Sequence, residues 1–396
     1  MGRVYYVSYY TDKETAGAFV AANDKINYIT EKLVENGFKT EIVSAFGEKS
    51  PKKIKAERRT LGSGAVLQTF DVMPYRGIAG RFIRLAKIRR GLEKYILENA
   101  KEDDIVLIYH SLGYAKLYKR FKNKLKSKLI IETEEIYSDV SRTGEKAVQE
   151  EIKNLAFADG YLFSAAELND IVNKEKKPFV VLNGVCREEK RLIAAKSGDK
   201  IRIVYAGTLD KNKGGAEIAV RAAEFLPEKY EIIILGGGTD EEIENIRNLA
   251  GKTNKKSVCS VVYGGVKFGE DYKKAIQSAD IGLCTQNPEA DFNSSSFPSK
   301  ILSYLSNGLI VLSAKIPAVE KSAVGKSVYY YDKQTPQSIA EAVMKIDVKN
   351  NNGQNELITF LDKRFSYELK DLFDKPKKTD KQKRTDRKAG QRTDRT

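Results

Sequence analysis

The sequence has little of what builds metal sites, disulfides or membrane spans. Its 396 residues include three cysteines, one histidine and no tryptophan. Cys186, Cys259 and Cys284 lack the spacing of a metal site or disulfide framework, which favours a reducing compartment. The first residues lack an apolar signal segment, and no run approaches the roughly 20 apolar residues of a spanning helix. We therefore expect a cytoplasmic protein, or one that lies on the inner face of the plasma membrane.

Acidic residues are outnumbered, and the formal net charge is +15. A chain this basic attracts phosphate, carried by nucleic acid, an anionic membrane surface or phosphorylated small molecules. The charge could equally serve solubility alone. The sequence shows no motif of stacking aromatic residues for nucleic acid, so nucleic acid is the least favoured partner.

Short apolar runs alternate with longer amphipathic stretches along most of the chain. Strand–helix alternation of this kind predicts parallel, doubly wound sheets in an α/β fold. The predicted strands of the first half are Arg3–Tyr10, Thr40–Phe46, Asp104–His110, Lys128–Glu135 and Gly160–Ala165. Those of the second half are Ile201–Gly207, Tyr230–Gly238, Ser257–Gly265, Ala279–Gln286, Gly308–Ala314 and Ser327–Asp332.

The length suits two domains of about 100–200 residues each. We predict a Rossmann-like domain over residues 1–190 and a second over 191–350, joined by a charged linker and facing each other across a cleft. Ligands of open α/β sheets bind at the carboxyl ends of the strands. A helix over 351–374 follows, and 375–396 has almost no apolar residue, which predicts disorder.

Three strand ends in the second domain are suited to an anion. Gly207 ends a strand, and Lys213 with Gly214 precedes a helix, so bare backbone and one positive charge come together. A serine-rich stretch before Pro298 begins another helix, and a glycine loop follows Leu235. The loop lacks the pattern of a nicotinamide-dinucleotide site. Taken singly, each could be an ordinary turn with a solvated lysine or a capped helix.

Four stretches of the second half together resemble one family. They are "GTLDKNKG", "LGGGTDEE", "SADIGLCTQ" and "FPSKILSYLSNGLIVLS". Over residues 201–332 the chain resembles the nucleotide-sugar domain of retaining GT-B glycosyltransferases of bacterial polysaccharide assembly, similar to family 4. The resemblance implies transfer of a sugar, with retention, from a nucleoside-diphosphate sugar such as a UDP-sugar to a saccharide or polyprenyl-linked acceptor. No pair of carboxylates with metal-type spacing stands near the predicted phosphate loops, so we expect no metal and no cofactor.

The resemblance also assigns roles in the second domain. Lys213 matches the lysine that binds the donor diphosphate, and Thr208 stands where many members carry a second, basic phosphate ligand. Ser295 and Ser303 stand where the family has two glutamates, which leaves a non-catalytic partner subunit as an alternative. The predicted donor-binding residues are Gly207, Thr208, Lys213, Gly214, Gly236, Gly237, Ser295, Ser296, Ser299, Lys300 and Ser303.

The first domain offers candidates for the other substrate. His110 ends a strand, and the resemblance implies that such a histidine contacts the transferred sugar; the alternative is a buried structural histidine. We take His110 and Lys213 as the catalytic residues. Glu134 and Glu135 belong to the acidic stretch Glu132–Glu135, which ends another predicted strand. Its carboxylates suit sugar hydroxyls or a cationic partner, unless they form only a solvated loop.

A basic amphipathic helix is predicted over Arg76–Ile96, with Ile78, Phe82, Leu85, Leu92 and Tyr95 along one side. Such a helix either packs on the sheet with a charged outer face or lies on an anionic membrane.

Overall fold

The computed structural model describes residues 2–12, 20–46, 52–141, 143–193, 199–210, 215–286, 297–349 and 354–375. The chain divides into two compact units. The first unit lies within Met1–Ser164, Leu168–Leu182 and Phe365–Thr396, and the second within Ala165–Glu167 and Asn183–Arg364.

An eight-stranded sheet forms the centre of the first unit. Its strands are β1 Arg3–Ser8, β2 Lys39–Ser44, β3 Arg58–Thr60, β4 Val66–Gln68, β5 Ile105–Tyr109, β6 Lys128–Thr133, β7 Gly160–Phe163 and β8 Phe179–Val181. Its helices are α1 Val20–Glu35, α2 Gly77–Asn99, α3 Ala115–Lys124, α4 Tyr137–Val140, α5 Glu145–Leu155 and α6 Glu167–Val172, the last of which begins at the edge of the second unit.

The strand order of this sheet is β3-β4-β2-β1-β5-β6-β7-β8, and every pair except β3/β4 is parallel. The central strands β1, β5, β6 and β7 are buried along almost their whole length. Near-continuous valine, isoleucine and tyrosine runs are expected where helices cover both faces of a parallel sheet. Burial on both faces is therefore the reason that these runs do not alternate with polar residues.

The second unit has a parallel six-stranded sheet in the order β11-β10-β9-β12-β13-β14. Its strands are β9 Ile201–Ala206, β10 Tyr230–Leu235, β11 Ser260–Gly265, β12 Ile281–Cys284, β13 Ile310–Ala314 and β14 Val328–Tyr331. Its helices are α7 Gly215–Ala222, α8 Asp240–Asn254, α9 Gly269–Gln277, α10 Lys300–Ser306, α11 Pro317–Glu320 and α12 Pro336–Met344. A final helix, α13, runs over Gln354–Asp374.

Strands β9 and β12 separate soon after they meet. Their pairing covers Ile203 with Ile281 and Val204 with Gly282. Beyond that point the Tyr304 hydroxyl of α10 accepts a hydrogen bond from the Ala206 N–H at 2.8 Å and donates one to the Leu283 carbonyl at 3.4 Å. A single buried side chain thus satisfies both strands where their own ladder has ended.

Gly282 is required for this arrangement. A Cβ at position 282 would lie 2.3 Å from the Tyr304 ring, well inside van der Waals contact. The absence of a side chain lets the ring lie against β12, and the ring keeps the carboxyl ends of β9 and β12 apart.

The two Rossmann-like α/β units confirm the predicted fold class, and each predicted strand overlaps an observed one. The short strands β3, β4 and β8 were not predicted. The helix predicted over Arg76–Ile96 is α2, but its buried face is different: Arg84, Ile88, Leu92 and Ile96 are buried, whereas Ile78, Phe82 and Leu85 are exposed. The tail 376–396 lies outside the described residues.

The compact units begin and end at other residues than the predicted domains do, and the predicted domain boundaries stay a prediction. The segment before residue 191 belongs to the second unit, where the Glu189 N–H donates to the Ser306 carbonyl at 2.9 Å. The end of α13 belongs to the first unit, where Phe365 stacks on Tyr28. There the buried Lys128 ammonium donates to the Leu372 carbonyl and, at 2.7 Å, to that of Lys375.

Replacing Tyr304 by phenylalanine should destabilise the protein while keeping its shape. The ring still fills the space, but the buried Ala206 N–H and Leu283 carbonyl lose their partner, which should cost about 1–3 kcal/mol. We expect this loss in the free energy of unfolding, measured by urea titration with circular dichroism. Tyr329→Phe, at an exposed tyrosine, is the control, and an equal effect of both substitutions would contradict the role of the Tyr304 hydroxyl.

Candidate functional site

In the second unit, the chain reverses its direction of travel across the sheet between β9 and β12. From β9 it continues to β10 and β11 on one side, and β12 then begins the series β12, β13 and β14 on the other. Ligands of open α/β sheets bind in the crevice at such a switch point, outside the carboxyl ends of the strands. The separation of β9 from β12 at Ala206 opens this crevice.

Bare backbone surrounds the end of β9. Gly236 has φ 146°, and a Cβ on it would lie 1.7 Å from the Gly207 carbonyl oxygen. Gly207 N–H donates to the Leu235 carbonyl at 3.0 Å, and Leu209 N–H donates to the Gly237 carbonyl at 3.0 Å. The glycines therefore serve first to bring two backbone segments together. The Gly207 N–H is already bonded, so it is not available to an anion in this conformation.

The ammonium of Lys300 lies directly beside Gly207. A Cβ at position 207 would lie 2.8 Å from Lys300 Nζ, so a side chain there would make the end of the lysine shift. Nζ also lies 4.5 Å from the centroid of the Tyr205 ring, on its face. Such cation–π contacts are worth about 0.5–2 kcal/mol. The lysine is thereby held at the switch point, with its charge over β9.

The remaining described residues of the predicted donor site lie on the loop after β9 and along the start of α10. Thr208 is exposed, and its carbonyl accepts a hydrogen bond from the Tyr205 hydroxyl at 3.0 Å. Ser299 directly precedes α10 and makes no side-chain capping bond. Ser303 lies one turn after Lys300 in α10, and its hydroxyl lies 3.3 Å from that of Tyr272.

Four of the predicted residues lie outside the described residues: Lys213, Gly214, Ser295 and Ser296. Their assignment stays a prediction, as do the roles of the described members of the set.

The first unit has a switch point between β1 and β5, since β2 lies on one side of β1 and β5 on the other. His110 follows β5 there, with its N–H donating to the Glu132 carbonyl at 2.8 Å. Its side chain is 1% exposed, and burial lowers the pKa of the imidazole to about 4. The ring is therefore neutral at pH 7. Its position agrees with the predicted strand end, while its burial is also what a structural histidine would show.

Glu151 of α5 orients this histidine. Its Oε1 lies 3.3 Å from His110 Nε2. The same carboxylate accepts the N–H groups of Tyr137 and Ser138 at 2.8 Å each, at the beginning of α4. The backbone of Glu135 also hydrogen-bonds to the imidazole, and this contact opposes the lowering of the pKa of His110 by burial.

One carboxyl group and one ammonium are buried at the end of β6, beside a second, half-buried carboxyl group. Lys25 of α1 pairs with Glu134 and lies 3.4 Å from Glu132 Oε1, while the Tyr6 hydroxyl donates to Glu132 Oε2. Burial, the largest cause, raises the pKa of the Glu132 carboxyl to about 7, and Lys25 opposes this shift. The pKa of Lys25 is raised by Glu134 and Glu132 against its own burial. The lysine is therefore charged, and Glu132 holds a proton readily.

Residues 200–346 match the family model described as Glycosyl transferases group 1. The chain carries a glycosyltransferase domain. No curated protein matches the sequence significantly.

Similar solved structures include three GT-B proteins. The Escherichia coli trehalose-6-phosphate protein bound with UDP-2-fluoro glucose has a TM-score of 0.68 and 11% identity, covering 94% of this chain and 99% of its own. A UDP-forming α,α-trehalose-phosphate synthase from Burkholderia xenovorans, in complex with glucose-6-phosphate, has a TM-score of 0.68 and 12% identity. This match covers 94% of this chain and 99% of the synthase. Sucrose-phosphate synthase from Thermosynechococcus elongatus has a TM-score of 0.69 and 12% identity, and the match covers 94% of this chain and 98% of that synthase. At these identities the likeness establishes the fold, which is GT-B.

The glycosyltransferase domain accounts for the second unit, but sequence reasoning missed the buried charges of the first. Lys25 and Glu151 were not predicted, and Glu132 was predicted only as a member of the acidic stretch Glu132–Glu135. Glu132 belongs to the same acidic stretch as the predicted Glu134 and Glu135, both of which are half-buried. Lys25 and Glu151 stand among charged residues of helical patterns, and nothing in the sequence separates them from solvated neighbours. Their burial depends on how α1 and α5 pack.

Within the described part of the chain, no cluster of three or more metal-ligating side chains occurs. None of the helices described is both long and apolar enough to cross a bilayer.

Replacing Glu132 by glutamine should flatten the pH dependence of stability. A carboxyl whose folded pKa is raised from 4.5 to about 7 stabilises the fold fully below pH 4.5, and this contribution is lost as the pH rises through 7. We expect the parent to lose on the order of 1–3 kcal/mol of unfolding free energy across this window, and Glu132→Gln to lose less. Urea titrations at several pH values measure both, with Glu98→Gln on the exposed side of α2 as control. Identical slopes for parent and Glu132→Gln would contradict the buried carboxyl.

Proposed function

We propose that the protein transfers a sugar from a nucleoside-diphosphate sugar, a UDP-sugar in the first instance, to a saccharide or lipid-linked saccharide, with retention. The process served would be the assembly of cell-surface polysaccharide or glycoconjugate. One observation carries the proposal: a domain that matches group 1 glycosyl transferases has a lysine ammonium held in a glycine-lined crevice at the switch point of its sheet.

The donor would bind to the second unit, with its diphosphate near Gly207. As the bond from the sugar to the diphosphate breaks, the electron pair stays on the phosphate oxygen. Fixed positive charges there stabilise the leaving group more than the ground state, which is how such electrostatic catalysis works. Lys213 is predicted to supply one of these charges. No metal and no cofactor enter this proposal.

The acceptor would bind to the first unit, at the carboxyl ends of β5 and β6. Glu134 keeps part of its carboxylate exposed, at 27% of its side chain, while Lys25 holds it in place. A fixed carboxylate suits hydrogen bonds from sugar hydroxyls. His110 and Glu135 lie at the same strand ends, and His110 would contact the transferred sugar.

The molecules bound in two similar structures support the proposed classes of substrate. One holds UDP-2-fluoro glucose, and another holds glucose-6-phosphate. A sugar phosphate is therefore a second acceptor class to test beside a polyprenyl-linked saccharide. A non-catalytic subunit is the remaining alternative, because Ser295 and Ser303 replace two acidic residues of the resembling family.

The test is whether the purified chain binds and uses nucleotide sugars. We expect one nucleoside-diphosphate sugar of a panel to raise the melting temperature and to be consumed by transfer or slow hydrolysis, with the product keeping the anomeric configuration of the donor in NMR spectra. Lys213→Ala should weaken nucleotide binding about 10- to 100-fold in calorimetry, as a lost charge-assisted hydrogen bond predicts. Lys326→Ala, an exposed lysine before β14, is the control. Binding without any turnover would favour the non-catalytic alternative, and unchanged affinity in Lys213→Ala would remove Lys213 from the site.

We also propose that the first half of α2 contacts an anionic membrane surface, where a lipid-linked acceptor would be found. Ile78, Phe82 and Ile83 are 77%, 65% and 60% exposed, which is unusual for large apolar side chains on one helix segment. Exposed Arg81, Lys87 and Arg90 lie among them. Apolar groups that enter the interface and cations that attract anionic headgroups form the pattern of an interfacial helix.

Arg84 is not part of this surface, although its basic character suggested it. It is 7% exposed, and its guanidinium lies over the Tyr75 ring at 4.3 Å. Arg89 donates to the Gly113 carbonyl at 3.1 Å, so it is also engaged within the unit.

Vesicle co-sedimentation tests this surface. We expect the parent to bind anionic but not neutral vesicles, and to bind less at high salt because each surface cation contributes about 1 kcal/mol of screened attraction. Both Phe82→Ser/Ile83→Ser and Arg81→Gln/Arg90→Gln should reduce binding. Phe360→Ser, at an equally exposed phenylalanine of α13, should not. If the parent does not bind anionic vesicles, a freely soluble acceptor replaces the lipid-linked one.

A further inference from the structure

Four large apolar residues are exposed along one edge of the sheet of the second unit. Val262 lies in the edge strand β11, Val258 precedes this strand, and Val266 and Phe268 follow it. They are 46%, 68%, 48% and 67% exposed, in the same order. Single exposed apolar residues are normal, whereas several within one short segment indicate a contact with another protein. We call residues 258–268 the β11 edge.

The backbone of the β11 edge is occupied by side chains. Asn254, at the end of α8, donates to the Val261 carbonyl at 2.9 Å and accepts the Val261 N–H at 2.8 Å. The Cys259 N–H donates to the Ser257 hydroxyl at 3.0 Å. An edge strand that is covered in this way is protected against the addition of another strand. A partner at the β11 edge would therefore pack on its apolar side chains.

Helix α8 lies beside β11 and runs in the opposite direction. Arg247, in the middle of α8, lies over the Tyr263 ring at 5.4 Å, whereas Asn254, at the end of α8, binds Val261. The beginning of α8 is therefore near the carboxyl end of β11, and the end of α8 is near its amino end.

The exposed charges at the two ends of the β11 edge differ in sign. Those near its amino end include Lys252, Lys255 and Lys256. Those near its carboxyl end include Asp240, Glu241, Glu270 and Asp271, beside Lys267 and the paired lysines Lys273 and Lys274, which contact Glu189 and Glu270. The acidic residues also suit the macrodipoles of α8 and α9. The exposed valines and Phe268 have no such role.

We propose that the β11 edge is the interface of a homodimer, in which two copies of this chain pack their Val262 regions together about a two-fold axis. Such an axis brings the same surface of both copies together. If it is perpendicular to β11, the two strands run antiparallel. The lysine end of each copy then faces the acidic end of the other, and this complementarity favours a second copy as the partner. The dimer is independent of the proposed function.

Sedimentation velocity of the full chain tests the apolar part of the interface. We expect the parent to show a concentration-dependent equilibrium between monomer and dimer. Val262→Asp should raise the dissociation constant about 10-fold or more, because a carboxylate would be buried against apolar side chains. Phe360→Asp, at an exposed phenylalanine of α13, is the control and should dimerise like the parent. Circular dichroism checks that both variants are folded.

Two charge-reversal variants test the antiparallel arrangement. Lys255→Glu/Lys256→Glu makes the first end acidic, and Glu270→Lys/Asp271→Lys makes the second end basic. Each variant alone should dimerise less than the parent, because like charges then face each other. An equimolar mixture should form a heterodimer more tightly than either variant forms its own dimer, since opposite charges then meet at both ends. Charges that only stabilise their own helix would not be rescued by mixing.

Three results would overturn the proposal. A parent that stays monomeric up to about 100 μM has no such interface. A dimer that Val262→Asp leaves unchanged is held together by another surface. If the mixed charge variants associate no better than each variant alone, the antiparallel arrangement is wrong.

Discussion

The separation of β9 and β12 is the constraint on which the candidate donor site depends. Neighbouring parallel strands are held together by their ladder of backbone hydrogen bonds. The ladder between β9 and β12 covers only two residue pairs. The buried polar groups beyond it need partners, and the Tyr304 hydroxyl supplies them for Ala206 and Leu283. Because Tyr304 belongs to α10, the same helix that holds the strands apart also places Lys300 over the opening.

In the first unit, charged side chains are buried at the carboxyl ends of the strands. Charged groups buried there carry a desolvation cost, and each is tolerated because another group compensates it. Lys25 is shared by Glu132 and Glu134, and Glu151 accepts two backbone N–H groups while it faces His110. Such networks hold side chains in one orientation, as the proposed acceptor site would require.

The alternation of apolar runs predicted the sheets because strands buried on both faces leave a strong signal in sequence. Local signals also located His110, Gly207 and Lys300 at strand and helix ends. The same signals could not reveal what each residue contacts. The glycines after β10 looked suited to an anion, yet Gly236 is needed for close backbone approach to Gly207. Lys25 and Glu151 resemble any charged residue of an amphipathic helix until the helices are packed.

For the basic helix α2, too, the sequence revealed the element but not the contacts of its side chains. Its helical period was evident, but the apolar residues Phe82 and Leu85 are exposed and Arg84 is buried. Periodicity identifies a helix and its apolar side chains, whereas the face that packs is chosen by the neighbouring elements. Arg84 could replace an apolar residue in the buried face because its guanidinium lies over Tyr75.

We propose that a donor diphosphate lies in the crevice between β9 and β12. A crystal structure of the full chain with UDP would locate it. We expect phosphate oxygens within hydrogen-bonding distance of Lys300 Nζ, beside Gly207 and over the carboxyl ends of β9 and β12. Phosphates bound elsewhere, with Lys300 still on the Tyr205 ring and no contact to the nucleotide, would contradict it.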